Sequence, residues 1–224
     1  MNKRSLLYSF LIALALTFLG IFFFDKPVAA FVHQIGGQQS SILNEGTSGL
    51  ELASGYSISK FFLGFLLLGA GALLFISKST RRLAWMLVFV GCTHLVCRVT
   101  AGVLKEVFER LRPFEVIRAG DWDWKFFSGH GNSFPSGHSV HFWGLFFPLA
   151  FLFPRYRIPL AIAPLFMMVA RVGVNDHWCS DVIASVALAA LFTLVFVWAF
   201  RMKPPQSAPS EADPGVDESS PNPL

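Results

Sequence analysis

The chain has 224 residues, 54% of them hydrophobic and 14% charged, with a formal net charge of +4 at pH 7 and a mean hydropathy of +0.54. So few charges cannot clothe an ordinary water-soluble domain, and the cations lie scattered between apolar runs rather than gathered into a stripe that would track nucleic acid. Three cysteines, Cys92, Cys97 and Cys179, two of them inside an apolar run, imply neither a disulfide framework nor a zinc site.

Membrane insertion is the expectation these numbers leave, and the apolar segments bear on it in chain order. Leu6 to Phe24 is almost unbroken after Lys3 and Arg4, long enough at about 1.5 Å per residue to cross a hydrocarbon layer of roughly 30 Å. Val28-Ala29-Ala30 resembles a signal-peptide cleavage site. The run exceeds the roughly 7–15 residues of a signal core, however, and Asp25-Lys26-Pro27 intervenes, which favours an uncleaved first span. Residues 25–59 read as an external loop with a short interfacial helix at Val28–Ile35. Further apolar segments, Phe61–Ile76, Leu83–Val107, Ser139–Phe153, Ile158–Val174 and Val182–Phe200, bring the expected spans to six. The predicted fold is all-α: a polytopic membrane domain over residues 1–203, followed by a tail over 204–224 whose Pro, Ser, Asp and Glu content predicts disorder.

The turns at Ser77–Arg82 and Pro154–Arg157 are basic, and Arg201 and Lys203 follow the last span, so the positive-inside rule places these and both termini in the cytoplasm. Loops 25–60, 108–137 and 172–181 then face outward. One of the outward segments itself carries Lys105, Arg110, Arg112, Arg118 and Lys125, an excess that an anionic substrate explains.

Three clusters lie at the outward ends of the predicted spans. Lys105 and Arg112, seven residues apart, share a helical face and combine a point charge with a guanidinium fork suited to phosphate oxygens; taken singly, they would read as cations that snorkel to headgroups. Pro135-Ser136-Gly137-His138 precedes an apolar span, where Ser caps a helix, Gly permits close approach and free N–H groups hold an anion. Taken alone it would be a cap beside an interfacial histidine. Arg171, His177 and Asp181 form the third cluster, the last two at a four-residue spacing that lets an Asp orient a His ring. A capping His–Asp pair is the structural alternative, but Arg171 near membrane depth needs a partner or an aqueous cavity.

In this order and spacing, Lys105 with Arg112-Pro113, Pro135-Ser136-Gly137-His138, and Arg171 with His177 and Asp181 resemble the type 2 phosphatidic acid phosphatase (PAP2) superfamily. The resemblance covers roughly residues 6–200. It implies a metal-independent phosphohydrolase without a cofactor, acting on a lipid phosphate at the outer face of a bacterial cytoplasmic membrane. Carried over by position, His177 is the nucleophile that forms a phosphohistidine, Asp181 orients it, and His138 protonates the leaving oxygen and later activates water. Lys105, Arg112, Ser136, Gly137 and Arg171 bind the phosphate. The chain departs from the family pattern at Ala170, where Ser is common.

Lipid A, undecaprenyl pyrophosphate, phosphatidic acid and phosphatidylglycerol phosphate are the candidate substrates, with the first two favoured. A lipid-to-lipid phosphotransferase would use the same residues, a transporter or lipid-binding scaffold would use the charges to line a path, and vanadate-dependent haloperoxidases share this style of oxyanion pocket. A metal at His141 and Cys179 is disfavoured because the neighbouring cations would repel it. Arg98 and His94 lie deeper on the face of Lys105 and read either as support for the site or as an internal pair. The segment Gly120–Phe127 mixes acids with aromatic rings and reads as a headgroup contact or an aromatic-belt anchor.

Overall fold

The computed structural model describes residues 3–120, 122 and 126–202. No strand occurs among them, and the chain is a bundle of helices joined by short turns. The predicted tail, 204–224, and parts of the Gly120–Phe127 segment lie outside the described residues.

Helix α1 (Lys3–Leu19) runs through one π-helical turn, Gly20–Phe24, directly into α2 (Asp25–Gln34). Residues 25–34 therefore continue the first helical stretch, and the expected loop does not begin at Asp25. The wider turn, with the Asp25 N–H bonded to the Gly20 carbonyl, keeps the backbone satisfied while a carboxylate enters the interior. Asp25 is 2% exposed. Gly20 permits close contact between α1 and the start of the last helix, since a Cβ there would lie 3.1 Å from Ser180 Cβ. Helix α3 (Ser41–Ala53) packs across the helix over 157–173, so much of the expected external loop is also helical.

Helix α4 (Phe62–Leu74) pairs with the 28-residue α5 (Arg81–Phe108). Gly64 and Gly71 on α4 let the two approach closely, as small residues do where helices meet in lipid. Glu109, in the left-handed conformation at φ 43°, ends α5. The short α6 (Pro113–Ala119) follows with Pro at its first position. Helix α7 (Gly137–Leu152), α8 (Arg157–Gly173) and α9 (Cys179–Ala199) complete the bundle. Its apolar core includes Leu6, Phe89, Val140, Phe151, Ala189 and Val197. Large side chains such as Phe22, Phe23, Phe65, Leu73, Ile162 and Trp198 point outward, the reverse of a water-facing surface.

Among the described residues, four helical stretches, 3–34, 81–119, 154–173 and 179–199, are long and apolar enough to cross a membrane. Helices α4 and α7, with 13 and 16 residues, are shorter than the roughly 20 residues a span needs, though both pack inside the same bundle. The protein is multi-pass. Chain direction places Arg81, Arg82, Arg155, Arg157 and Arg201 at one end of the bundle, and α5, α7, α8 and α9 bring the three polar clusters together at the other.

Candidate active site

The site is built where α5 ends, α7 and α9 begin and α8 ends. Each of these helix ends is set by local sequence. Ser136 is the N-cap of α7, its side chain accepting from the Ser139 N–H at 3.5 Å. Asp181 is the third residue of α9 and accepts the Trp178 N–H at 3.0 Å, so it caps the helix and serves the site together.

His177 lies in the α8–α9 turn and is 2% exposed. Its Nδ1 is 3.3 Å from both Asp181 Oδ2 and Ser133 Oγ. With Nδ1–H directed at the carboxylate, the Nε2 lone pair is kept on the opposite edge of the ring. Burial pushes this imidazole down to about 3, although the Asp181 hydrogen bond and charge pull the other way. The ring is therefore neutral at ordinary pH, as a nitrogen nucleophile must be.

Asp181 is itself held from several sides. Ser133 Oγ donates to its Oδ2 at 2.5 Å, and Arg110 Nη1 donates to its Oδ1 at 2.6 Å. The same Arg110 nitrogen donates to Ser180 Oγ at 2.7 Å, and Nη2 reaches Asp25 Oδ2 at 2.7 Å. The guanidinium lies 4.6 Å from the Phe126 ring centroid and 5.0 Å from that of Trp178. A fully buried Asp25–Arg110–Asp181 triad thus fixes the partner of His177.

The expected cations converge on the same end. Arg112 Nε donates to Asn132 Oδ1 at 3.0 Å and Nη1 to Asp176 Oδ1 at 2.8 Å, while Arg171 pairs with the other oxygen of Asp176. The Lys105 ammonium donates to the Asn132 and Ser133 carbonyls. Gly137 sits among these groups: a Cβ there would lie 3.4 Å from Arg98 Nη1, 3.7 Å from Lys105 Cε and 3.8 Å from the Tyr56 hydroxyl. His138 Nε2 is 2.6 Å from Glu51 Oε1 of α3, with the Tyr56 ring 4.6 Å away and tilted by 35°. Arg98, Lys105, Arg112 and Arg171 gather at this end, and although Asp176 pairs with two of them and Asp181 acts on Lys105, the rim is cationic and favours an anion.

All eight residues singled out from sequence, Lys105, Arg112, Ser136, Gly137, His138, Arg171, His177 and Asp181, thus lie at this one end. Arg98 supports the site from below, donating to the Gly137 carbonyl. His94 instead pairs with His141 at 3.0 Å. Of the Gly120–Phe127 segment, Trp122 packs with Ala29, Val116 and Trp178, and Phe126 packs over Arg110, so these rings buttress the triad. Asp25, Ser133, Asn132, Asp176 and Glu51 have no site role in the sequence reading, and Arg110, expected among the outward cations that an anionic substrate explains, is instead buried against Asp25 and Asp181. Arg110 is two residues from Arg112, and Asp176 adjoins His177 and lies five residues after Arg171, but the pairings Arg112–Asp176, Arg110–Asp25 and His138–Glu51 span 64, 85 and 87 positions, which no local spacing displays.

The return loop adds a tight constraint. A Cβ on Gly131 would lie 2.3 Å from both the Arg110 carbonyl carbon and the Glu109 carbonyl oxygen. Gly131→Ala must therefore displace the backbone that carries Arg110 and Arg112, and it is expected to lower the melting temperature and phosphate affinity together. Native melting by circular dichroism in detergent would sink that expectation.

Beside the site, α1, α5, α9 and the loop before α7 line an apolar, partly open cavity of about 280 Å³ that includes Phe18, Leu104, Phe108, Phe134 and Ala184.

Comparison with known proteins is consistent with this architecture. The family model of the PAP2 superfamily matches residues 82–205. A lipid A 1-phosphatase from Rhizobium etli is 31% identical over 183 residues, 79% of this chain and 77% of that protein. A lipid A 1-phosphatase from Rhizobium johnstonii is 36% identical over 114 residues, 50% of this chain and 47% of the relative, so this match spans less than half of the relative's length. The crystal structure of a transmembrane PAP2 type phosphatidylglycerolphosphate phosphatase from Bacillus subtilis superposes with a TM-score of 0.55 at 23% identity, covering 90% of this chain and 98% of that one. That likeness extends to the fold alone.

Proposed function

This chain belongs to the PAP2 superfamily, and from that premise we propose that it is a bacterial membrane phosphatase that hydrolyses a lipid phosphate through a phosphohistidine at His177. The observation that carries the reading is the His177–Asp181 pair, with a neutral ring beside a cationic rim. His177 Nε2 attacks phosphorus as the bond to the lipid oxygen breaks, and the phosphoryl group passes to nitrogen. His138, partnered by Glu51, gives its proton to the departing oxygen. It then takes a proton from the water that cleaves the phosphorus–nitrogen bond, releasing inorganic phosphate and restoring the neutral ring. Lys105, Arg112 and Arg171 neutralise the phosphoryl oxygens, with Ser136 and Gly137 opening α7 beside them. Positioning and charge neutralisation of this kind are what phosphoryl transfer chiefly requires.

Lipid A comes first among the candidate substrates, ahead of undecaprenyl pyrophosphate, because both named relatives are lipid A 1-phosphatases. The apolar cavity beside the site suits an amphiphile that stays in the bilayer. In the same reading α4 and α7 also span, making six, with residues 1–203 as the membrane domain. The basic end faces the cytoplasm with both termini and the site faces the periplasm.

Phosphate release by the detergent-purified full chain from lipid A, undecaprenyl pyrophosphate, phosphatidic acid and phosphatidylglycerol phosphate, in EDTA and without an added acceptor, tests this reading. Release that survives chelation and is fastest with lipid A is the expected result. No release from any of the four, with phosphate transferred only when a second lipid is supplied, would replace the hydrolase with a phosphotransferase.

A further inference from the structure

The two guanidiniums assigned to the phosphate already hold an anion that belongs to the chain. Arg112 Nη1 binds Asp176 Oδ1 at 2.8 Å, and Arg171 binds Oδ2. The carboxylate thus bridges the arginines with one oxygen each, the arrangement that a phosphoryl group would need from the same pair. Asp176 is placed there by the turn that also places His177: the N–H groups of both residues donate to the Arg171 carbonyl at 3.1 Å, and Asn175 before them takes a left-handed φ of 56°. Two unpaired guanidiniums at membrane depth would repel each other and lack solvation, and a local carboxylate removes both penalties while the site is empty. The cluster is also open enough for exchange, the side chains of Arg112, Asp176 and Arg171 being 24%, 18% and 14% exposed.

We propose that the Asp176 carboxylate is an internal stand-in for the substrate phosphate, which must release Arg112 and Arg171 before a phosphoryl group can bind. Asp176 thereby sets how tightly the enzyme holds its substrate and its inorganic phosphate product. The proposal rests on the phosphatase reading for its biological meaning, but the competition it describes is a property of anion binding alone. Displacing a charge-assisted pair opposes every incoming phosphate by a similar amount, so removing the competitor tightens phosphate binding. If Asp176 instead serves only to hold the arginines in place, removing it loosens phosphate binding. The direction of the change separates the two.

The test uses the full chain in detergent, with inorganic phosphate as the probe. Its dissociation constant is measured by calorimetry and its competitive inhibition constant during lipid phosphate hydrolysis, for the native protein, Asp176→Asn and Asp176→Ser. Asn keeps the shape and one acceptor and so guards against loss of fold, and melting temperatures confirm that each variant is native. Both constants are expected to fall by about tenfold or more in the two variants, the size of one charge-assisted hydrogen bond, with KM falling alongside. Constants unchanged or raised in variants that melt like the native protein would overturn the proposal. A native chain that binds phosphate but releases none from any lipid would overturn the phosphatase reading and leave this comparison intact, because the calorimetric constant needs no turnover.

Discussion

His177→Ala is expected to reduce phosphate release from lipid substrate by about 10³-fold or more, with little change in KM. The His177 ring is held by Asp181 and Ser133, while Lys105, Arg112 and Arg171 are anchored by Asn132, Ser133 and Asp176, so ground-state binding survives while the acceptor for phosphorus is lost. Folding should survive as well, because Asp181 keeps Arg110, Ser133 and the Trp178 N–H as partners when the ring is gone. Trapping of radiolabelled phosphate on acid-quenched native protein, absent from the variant, checks the covalent step. Retention of most activity in the variant would remove His177 from the nucleophile's place. The pH profile gives a second check. Burial holds the ring's pKa down at about 3, so its reactive neutral form persists as pH falls and is lost only on approaching that value. An acid limb of kcat/KM between pH 5 and 7 should then follow the second ionisation of the substrate phosphate, near pH 6, and move when the substrate is changed. A limb fixed near 6.5 for every substrate would instead mark an imidazole of ordinary pKa.

The helical fold was legible because lipid imposes one rule on the whole sequence: a backbone in hydrocarbon must satisfy its own hydrogen bonds. Long apolar runs therefore had to be helices, and the observed α5, α8 and α9 lie within a few residues of the runs read from composition. The misreading at residues 25–34 has the opposite cause. Asp25-Lys26-Pro27 looks like the end of a span because a charge in hydrocarbon is costly, but Asp25 is neutralised by Arg110, 85 positions away, and the chain stays helical through a π turn. A charged residue ends a span only when nothing in the fold supplies its partner.

The site divides in the same manner. His177 with Asp181, and Lys105 with Arg112, are visible in sequence by their spacing, but no single helical face joins them: α5 stops at Phe108 and Arg112 caps α6, while His177 precedes the Trp178 cap of α9, so turns bring each pair to the site. Glu51 beside His138 and Asp176 between two arginines depend on how α3 and the turns pack, and a lone carboxylate in an outward loop carries no mark that distinguishes it from a solvated one. Arg110 carried no mark either: residues two apart in extended backbone share a side, and only the partners Asp25 and Asp181, far off in sequence, turn Arg110 inward while Arg112 reaches Asp176.

Arg110→Met is expected to be the most damaging single change to stability. It leaves Asp25 and Asp181, 2% and 0% exposed, as buried carboxylates that have lost their common counterion, and stranding a charge in this way costs about 3–5 kcal/mol. In a chain of this size that is a fall in melting temperature on the order of 10 °C. Phosphatase activity should fall with it, since Asp181 loses the contact that aims its carboxylate at His177. Arg110→Lys is a poor remedy, because an ammonium cannot span two carboxylates as the guanidinium fork does. The discriminating variant is the double change Asp25→Asn with Arg110→Met. If the damage comes from stranded charge, removing Asp25's charge as well must recover part of the melting temperature, so the two changes together cost less than the sum of each alone. Activity should not recover, because Asp181 still lacks its anchor. Equal melting of native protein and Arg110→Met would show that the triad contributes nothing to the fold. A double variant no more stable than Arg110→Met would show that packing of the guanidinium between Phe126 and Trp178, rather than its charge, holds α1, α5 and α9 together.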